Sequence, residues 1–420
     1  MTLALGCIAD DFTGATDLAG MLVRHGMRAV QTIGTPRTPA MDIDADAIVV
    51  ALKSRTIPAE EAIAQSLEAL EWLQAGGAQR FYFKYCSTFD STDAGNIGPV
   101  AEALMTKLGA GQTIFCPAFP ENGRTVFKGY LFAGDVLLNE SGMQDHPLTP
   151  MQDPNLVRVL ERQSTGAVGL LDYRTLRQGA AAAKAWLADE PARLVVADAT
   201  DEADLRTLAA AAADHVLTTG GSGLAVGMPG AFQAAGLFAP GAAPAADLPA
   251  IGGAGAVISG SCSRATNEQV RIFLERHEGF RIDPLALADG RDLAAEALAW
   301  AAGRPAEDPI LVYATAEPEE VRAAQSKVGR ERAGALVEDA LAAVAAGLTA
   351  AGRRRLVVAG GETSGAVVQR LGVEALRIGP EIDPGVPWCT AIGANPLALA
   401  LKSGNFGAPD FFEKALALAP

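Results

Sequence analysis

Short apolar runs alternate with longer stretches of helical period along this chain. The runs are LALGCIA (3–9), AIVVAL (47–52), RFYFKY (80–85), TIFCPA (113–118), RLVVAD (193–198) and HVLTTG (215–220). Between them, Thr16–His25, Glu60–Ala75 and Ala94–Leu108 carry apolar residues at helical spacing. A strand that is apolar throughout is buried on both faces, and helices between such strands are the signature of parallel βα units. A second series follows with AGAVISG (254–260), ILVYAT (310–315) and RRLVVAGG (354–361), while Pro396–Leu401 reads as helical. The stretch 231–253, AFQAAGLFAPGAAPAADLPAIGG, has no period and is rich in Ala, Pro and Gly, so it reads as a linker. The expected fold is α/β with two domains, 1–230 and 254–420. Each has a mostly parallel sheet flanked by helices, and the active site lies in the cleft between them. The segment Phe127–Pro154 lacks clear period and reads as an excursion from the first domain.

Length and composition agree with that division. At 420 residues the chain exceeds one ordinary core, and 49% hydrophobic with 20% charged residues fits a globular protein. The net charge of −15, with no basic stripe, excludes a nucleic-acid partner. An anionic small substrate remains compatible with it, provided a few cations are focused at the site. The five cysteines Cys7, Cys86, Cys116, Cys262 and Cys389 are widely spaced and form no C-x-x-C pair, as expected of reduced thiols in the cytoplasm. The N-terminus begins on a strand-like run rather than a signal peptide, and no apolar run reaches the ~20 residues of a membrane span.

Open α/β sheets bind ligands outside the carboxyl ends of their strands, so the turns after each strand are the places for chemistry. The first is Ala9-Asp10-Asp11-Phe12-Thr13-Gly14, which opens a helix. Paired acids there can cap the helix and offset its dipole, or serve a hydroxyl as general base and orienting group. The next turns, Lys53-Ser54-Arg55-Thr56 and Lys84-Tyr85-Cys86-Ser87-Thr88-Phe89-Asp90, combine cations with hydroxyls. Arg55 can fork onto a carboxylate and Lys84 can act as a point charge. Solvated, capped loops are the bland alternative for each turn.

The second half carries three glycine turns: Ser259-Gly260-Ser261-Cys262-Ser263-Arg264, Gly360-Gly361-Glu362-Thr363-Ser364-Gly365 and Lys402-Ser403-Gly404-Asn405. Exposed N–H groups at helix N-termini attract anions and glycine allows close approach, so these are candidate phosphate cradles; tight packing is the alternative. None is a G-x-x-x-x-G-K-[ST] loop or a G-x-G-x-x-G fingerprint, which weakens a dinucleotide oxidoreductase. Asp383-Pro384-Gly385-Val386-Pro387-Trp388 reads as a rigid turn, with Trp388 either in the core or beside an adenine. The four histidines have no metal-ligand spacing.

The motifs ADDFTGATD (9–17), KYCSTFDST (84–92), AGGETSGAV (359–367), DPGVPW (383–388) and KSGNFG (402–407) resemble the four-carbon acid sugar kinases across nearly the whole chain. The resemblance implies a sugar-acid-binding N-terminal domain and a nucleotide-binding C-terminal domain. ATP with Mg²⁺ would phosphorylate the 4-hydroxyl of a four-carbon sugar acid. It implies ATP contacts at Ser259, Gly361, Glu362, Thr363, Ser364 and the Lys402–Gly404 loop. Substrate contacts would fall on the Asp10-Asp11 turn, Arg55, Lys84, Ser87, Thr88 and Asp90, with Asp10 or Asp11 as the catalytic base; it assigns no metal ligands. The partners are therefore the sugar acid and ATP, and a homo-oligomer is compatible with the sequence. A non-catalytic regulator that binds the same ligands is the main alternative outside the kinases.

Overall fold

The computed structural model describes residues 3–146, 148–241, 244–305, 307–393 and 396–420. The chain divides into two compact units, 1–246 and 247–420.

In the first unit the unbroken apolar runs form a parallel sheet. Its strands are β1 (Leu5–Ala9), β2 (Ala29–Ile33), β3 (Ala47–Ala51), β4 (Phe81–Lys84) and β5 (Thr113–Cys116). Next come β6 (Arg124–Phe127), β7 (Tyr130–Ala133) and β8 (Val136–Leu137), then β9 (Val168–Leu171), β10 (Leu194–Ala197) and β11 (Leu217–Gly220). The sheet order is β2-β3-β1-β4-β11-β5-β10-β9, and every pairing is parallel. Every residue of β1 and β3 is buried, as a sheet covered by helices on both faces requires. The expected excursion Phe127–Pro154 holds β7 and β8, which join β6, just before it, in a small antiparallel sheet. Asp198 anchors it, with carboxylate oxygens accepting from the backbone N–H of Lys128 and Gly129, both at 2.8 Å.

The second unit has β12 (Gly255–Ser259), β13 (Gly279–Arg281), β14 (Ile310–Tyr313), β15 (Arg355–Ala359), β16 (Ala375–Asp383), β17 (Val386–Ala391) and β18 (Ala398–Lys402). Their order is β13-β14-β12-β15-β18-β17-β16. The first five are parallel, and the β16–β17 hairpin continues the sheet antiparallel. Trp388 is wholly buried in the core, its indole N–H donating to the Ala415 carbonyl at 2.9 Å. The core reading of that residue therefore holds.

Two sequence expectations change. Ala398–Leu401 is strand rather than helix, because a five-residue ALALK run buried on every side pairs with β15 and β17. The stretch 231–253 is structured at both ends: the helix Met228–Ala234 carries buried Ala231 and Phe232, and Ile251 sits in the second core. The helix Arg330–Ala350 is long and apolar enough to cross a membrane by length and composition alone. Its Leu341, Val344, Ala345 and Leu348 are buried within the protein, as in a core helix.

Candidate active site

Strands β3, β1 and β4 are neighbours in register, so the turns after them meet at one carboxyl edge. Backbone bonds lock the meeting: Asp10 N–H donates to Lys84 O at 3.0 Å, and Ser54 N–H to Asp10 O at 3.0 Å. The Asn96 amide holds the Arg55 turn from outside, donating to the carbonyls of Ser54 at 2.7 Å and Ile57 at 2.9 Å.

Arg55 is the hub. Its Nε and Nη2 donate to the two Asp10 oxygens at 3.0 and 2.8 Å, a fork-to-fork pair. Nη2 also reaches Asp11 Oδ1 at 2.6 Å, and Nη1 lies 3.7 Å from Asp90 Oδ2. Lys84 Nζ lies 3.6 Å from the same Asp11 oxygen. Thr88 donates to Asp90 Oδ1 at 2.5 Å and shares a 2.9 Å hydrogen bond with the Cys86 thiol. Ser87 is half-buried on the same turn, outside this hydrogen-bonded group. The fork expected for a substrate carboxylate is thus already closed on Asp10, which leaves Nη1 as the less committed side of Arg55.

Two local features make this geometry. Asp11 caps the helix Phe12–Arg24, accepting from Gly14 N–H at 3.1 Å. Gly14 leaves the space that Lys84 occupies, since a Cβ there would stand 1.9 Å from its Nζ. Phe89 adopts φ +51° in the turn after β4, a left-handed conformation costing ~1–2 kcal/mol in a residue with a side chain. Its ring is wholly buried and packs edge-on against Tyr85, which retains the turn that carries Thr88 and Asp90.

The two aspartates differ. The Asp10 side chain is 7% exposed and that of Asp11 30%. Burial raises the Asp10 carboxyl above its ordinary range, with Arg55 opposing. Burial also pushes Asp11 upward, but Lys84, Arg55 and the Gly14 N–H together pull it below. Asp10 is therefore a buried anchor, and Asp11 is the ionised carboxylate that solvent reaches.

In the second unit, a cavity of about 670 Å³ opens at the carboxyl ends of β12 and β15. Gly260, Ser261, Gly360, Gly361, Glu362 and Thr363 line it from the two glycine turns. Gly360, at φ +126°, starts the helix Gly361–Arg370 without a side-chain cap. The first-turn N–H groups of such a helix have no helical acceptor, so they present a ready anion site. A Cβ on Gly260 would stand 2.1 Å from the Thr363 hydroxyl, so glycine lets the two turns touch. Ser364, on the same first turn, has a buried hydroxyl with no partner among the described residues. Ser259 is wholly buried, its hydroxyl 2.6 Å from that of Thr315. Gly404 lies against Ser261 and Ser263, and its carbonyl accepts from Ser263 Oγ at 2.5 Å and Thr266 Oγ1 at 2.8 Å.

The rest of the cavity was not legible in the sequence. Leu285, Val321, Ala324, Ala333 and Val337 supply apolar wall, and Arg281, Asp283, Glu320 and Glu338 supply charge. They come from Arg281 at the end of β13, from Asp283 at the N-cap of the following helix, and from three helices between β13 and β15, which carry no motif. Its size and mixed lining suit a nucleotide-sized ligand.

Known proteins resemble both halves of the chain. A family profile described as a sugar-binding N-terminal domain matches residues 5–228, and one described as a nucleotide-binding C-terminal domain matches 256–412. The 3-oxo-tetronate kinase of Cupriavidus necator is 63% identical over 98% of this chain and 96% of its own length. That of Burkholderia multivorans is 60% identical over the same shares. A crystal structure of a Haemophilus influenzae protein, 44% identical, matches with a TM-score of 0.87 over 98% of this chain and 99% of its own. Matches of this length and identity, falling on both units, mean that the chain belongs to the four-carbon acid sugar kinase family.

Proposed function

We propose that this protein transfers the terminal phosphate of ATP to the 4-hydroxyl of 3-oxo-tetronate, giving 3-oxo-tetronate 4-phosphate in the breakdown of carbohydrate acids. The observation that carries the reading is the uncapped Gly361–Arg370 helix opening on a nucleotide-sized cavity, in a chain whose relatives are 3-oxo-tetronate kinases. The triphosphate would take the N–H groups of Gly361, Glu362 and Thr363, with Ser259, Ser364 and Gly404 supporting the cradle. The nucleoside would take the apolar wall around Val321 and Val337.

Mg²⁺ binds through one or two carboxylates plus phosphate oxygens rather than in an all-protein cage. Glu362 supplies one carboxylate beside the cradle. The ion would offset charge on the phosphate oxygens.

The acid would bind at the turns after β1, β3 and β4, with Lys84, Ser87, Thr88 and Asp90 around it. Asp11 would orient the 4-hydroxyl and take its proton, and Asp10 would hold Arg55 in place. A carboxylate with a depressed pKa is a weak base. That is sufficient where transfer runs through a loose transition state, in which the hydroxyl proton leaves late and positioning does most of the work. The reaction belongs in the cytoplasm, where ATP is at hand.

The test is a substrate panel with coupled detection of ADP. 3-Oxo-tetronate should give the highest kcat/KM, above D-threonate and D-erythronate. Preference for either of those would move the substrate assignment, and ADP release with none of the three would sink the sugar-acid reading.

A further inference from the structure

Lys402 ends β18 at the same carboxyl edge as the two glycine turns, and it is 1% exposed. Its backbone carbonyl accepts from Gly360 N–H at 2.9 Å. Its ammonium donates to Thr266 Oγ1 at 3.0 Å and to the Gly404 carbonyl at 3.3 Å. One residue therefore ties both turns: the Gly360 turn through its main chain and the Gly404 turn through its side chain. The Gly404 carbonyl, accepting from Ser263, Thr266 and Lys402 together, has its peptide plane fixed.

The ammonium has no counter-charge among the described residues. No carboxylate lies within 4.0 Å of it among the described residues. The neighbouring strands and helices carry the carboxylates Glu268, Glu362, Glu381, Asp383 and Glu413 and the cations Arg264, Arg271, Arg355, Arg370, Arg377 and Lys414. Asp383 is paired with Lys414, and Glu413 with His277. Buried Arg353 gives a contrast, with three contacts to the carbonyls of Gly255, Asp308 and Pro305. Lys402 has one hydroxyl and one long carbonyl contact for three donors. A buried cation so poorly compensated is costly, and such a cost persists where a ligand supplies the missing charge.

We propose that Lys402 is a positioning residue for the nucleotide's phosphates, holding the Gly404 turn against the Gly360 turn and supplying the buried positive charge that the phosphates answer. This rests on the nucleotide assignment given above. Burial lowers the Lys402 ammonium from 10.5 to about 8, so phosphate affinity should fall as pH rises through that value. The phosphates' own second ionisation, near ~6, is complete before then.

The experiment is calorimetric titration of the full chain with a non-hydrolysable ATP analogue and, separately, with adenosine, from about pH 7 to about pH 9.5. The wild type should lose roughly ten-fold in analogue affinity around pH 8, while adenosine affinity stays level. Lys402→Met should bind the analogue roughly ten-fold more weakly at neutral pH and show no inflection. Lys402→Arg, which stays charged, should hold its neutral-pH affinity across the range. The melting temperature of unliganded Lys402→Met should change little, since Ser263 and Thr266 still hold the Gly404 carbonyl and the tie to Gly360 runs through the main chain; a large fall together with unchanged analogue affinity would mark a merely structural lysine and overturn the proposal. Wild-type affinity or a wild-type pH curve in Lys402→Met overturns the proposal. Should that variant fail to fold, an inflection near pH 8 surviving in Lys402→Arg overturns it instead. Failure of wild type to bind either probe removes the nucleotide reading as well, and is distinguishable from a mere loss of pH dependence.

Discussion

Gly14→Ala separates the site from the fold. The new methyl would stand 1.9 Å from Lys84 Nζ and 2.3 Å from Asp11 Oδ1, where ordinary contact begins near 3.4 Å. The ammonium must therefore retreat by about 1.5 Å, and as Lys84 is 4% exposed it has little solvent to retreat into. Its separation from Asp11 Oδ1, now 3.6 Å, would grow to roughly 5 Å. At an effective dielectric near 20, that weakens the attraction by roughly 1 kcal/mol. Alanine in place of glycine inside a helix returns about 1 kcal/mol. Asp11 Oδ1 must shift as well, which weakens its cap on Gly14 N–H, so the net loss of stability should be about 1 kcal/mol. Catalysis has no such compensation, since displacing a site group by about an ångström costs on the order of 10²-fold. Coupled ADP release should show kcat/KM for 3-oxo-tetronate falling by roughly 10–100-fold. Scanning calorimetry should give a melting temperature within a few degrees of wild type, and ATP-analogue affinity should be unchanged. Wild-type turnover in this variant would refute the placement of Lys84 and Asp11 in the chemistry.

Asp10→Asn should act mainly on stability, because it leaves Arg55 buried without its forked partner; urea denaturation should show a loss of about 3 kcal/mol or more. Asp11→Asn should keep the fold and ATP affinity but lose roughly 10²–10⁴-fold in turnover, and wild-type turnover in both variants would remove this turn from the chemistry. Gly361→Val should leave the melting point unchanged, because a Cβ there meets nothing within 4 Å. Its bulk in the cavity wall should weaken ATP-analogue binding at least ~10-fold, and unchanged affinity would take that turn out of the nucleotide site.

Much of this organisation is visible in the sequence, for identifiable reasons. Strands such as AIVVA stand out because a parallel sheet buries both faces and leaves no polar position. β2 escapes because Gln31 and Thr32 interrupt it, and the sequence does not show that buried Gln31 accepts from the Thr16 hydroxyl at 2.8 Å. The β16–β17 hairpin escapes because Pro380 and Pro387 argue against a strand, and its register shifts accommodate them. β18 misleads because alanine and leucine favour helices, and pairing on both sides overrides that preference. The site divides in the same way. Its turns are legible because ligands gather at strand ends, but their partners depend on the strand order β3-β1-β4, which no local pattern encodes. The Arg55–Asp10 fork joins residues 45 positions apart.

That fork changes how a sugar acid would lie. The network holds three carboxylates, Asp10, Asp11 and Asp90, against two cations, Arg55 and Lys84. A group with excess negative charge repels a second carboxylate and welcomes a hydroxyl, which can donate to Asp11. In a four-carbon acid the carboxylate at C1 and the hydroxyl at C4 are opposite ends of the molecule. On the proposed reading, electrostatics alone then orients the substrate. The C4 end enters beside Asp11, and the C1 carboxylate is turned away from the three aspartates. Arg55 contributes less as a fork for the substrate than as the group that lets two aspartates stand side by side. The Asp10–Asp11 repulsion visible in the sequence is held in check by one guanidinium, and Asp11 remains an ionised acceptor at the mouth of the site.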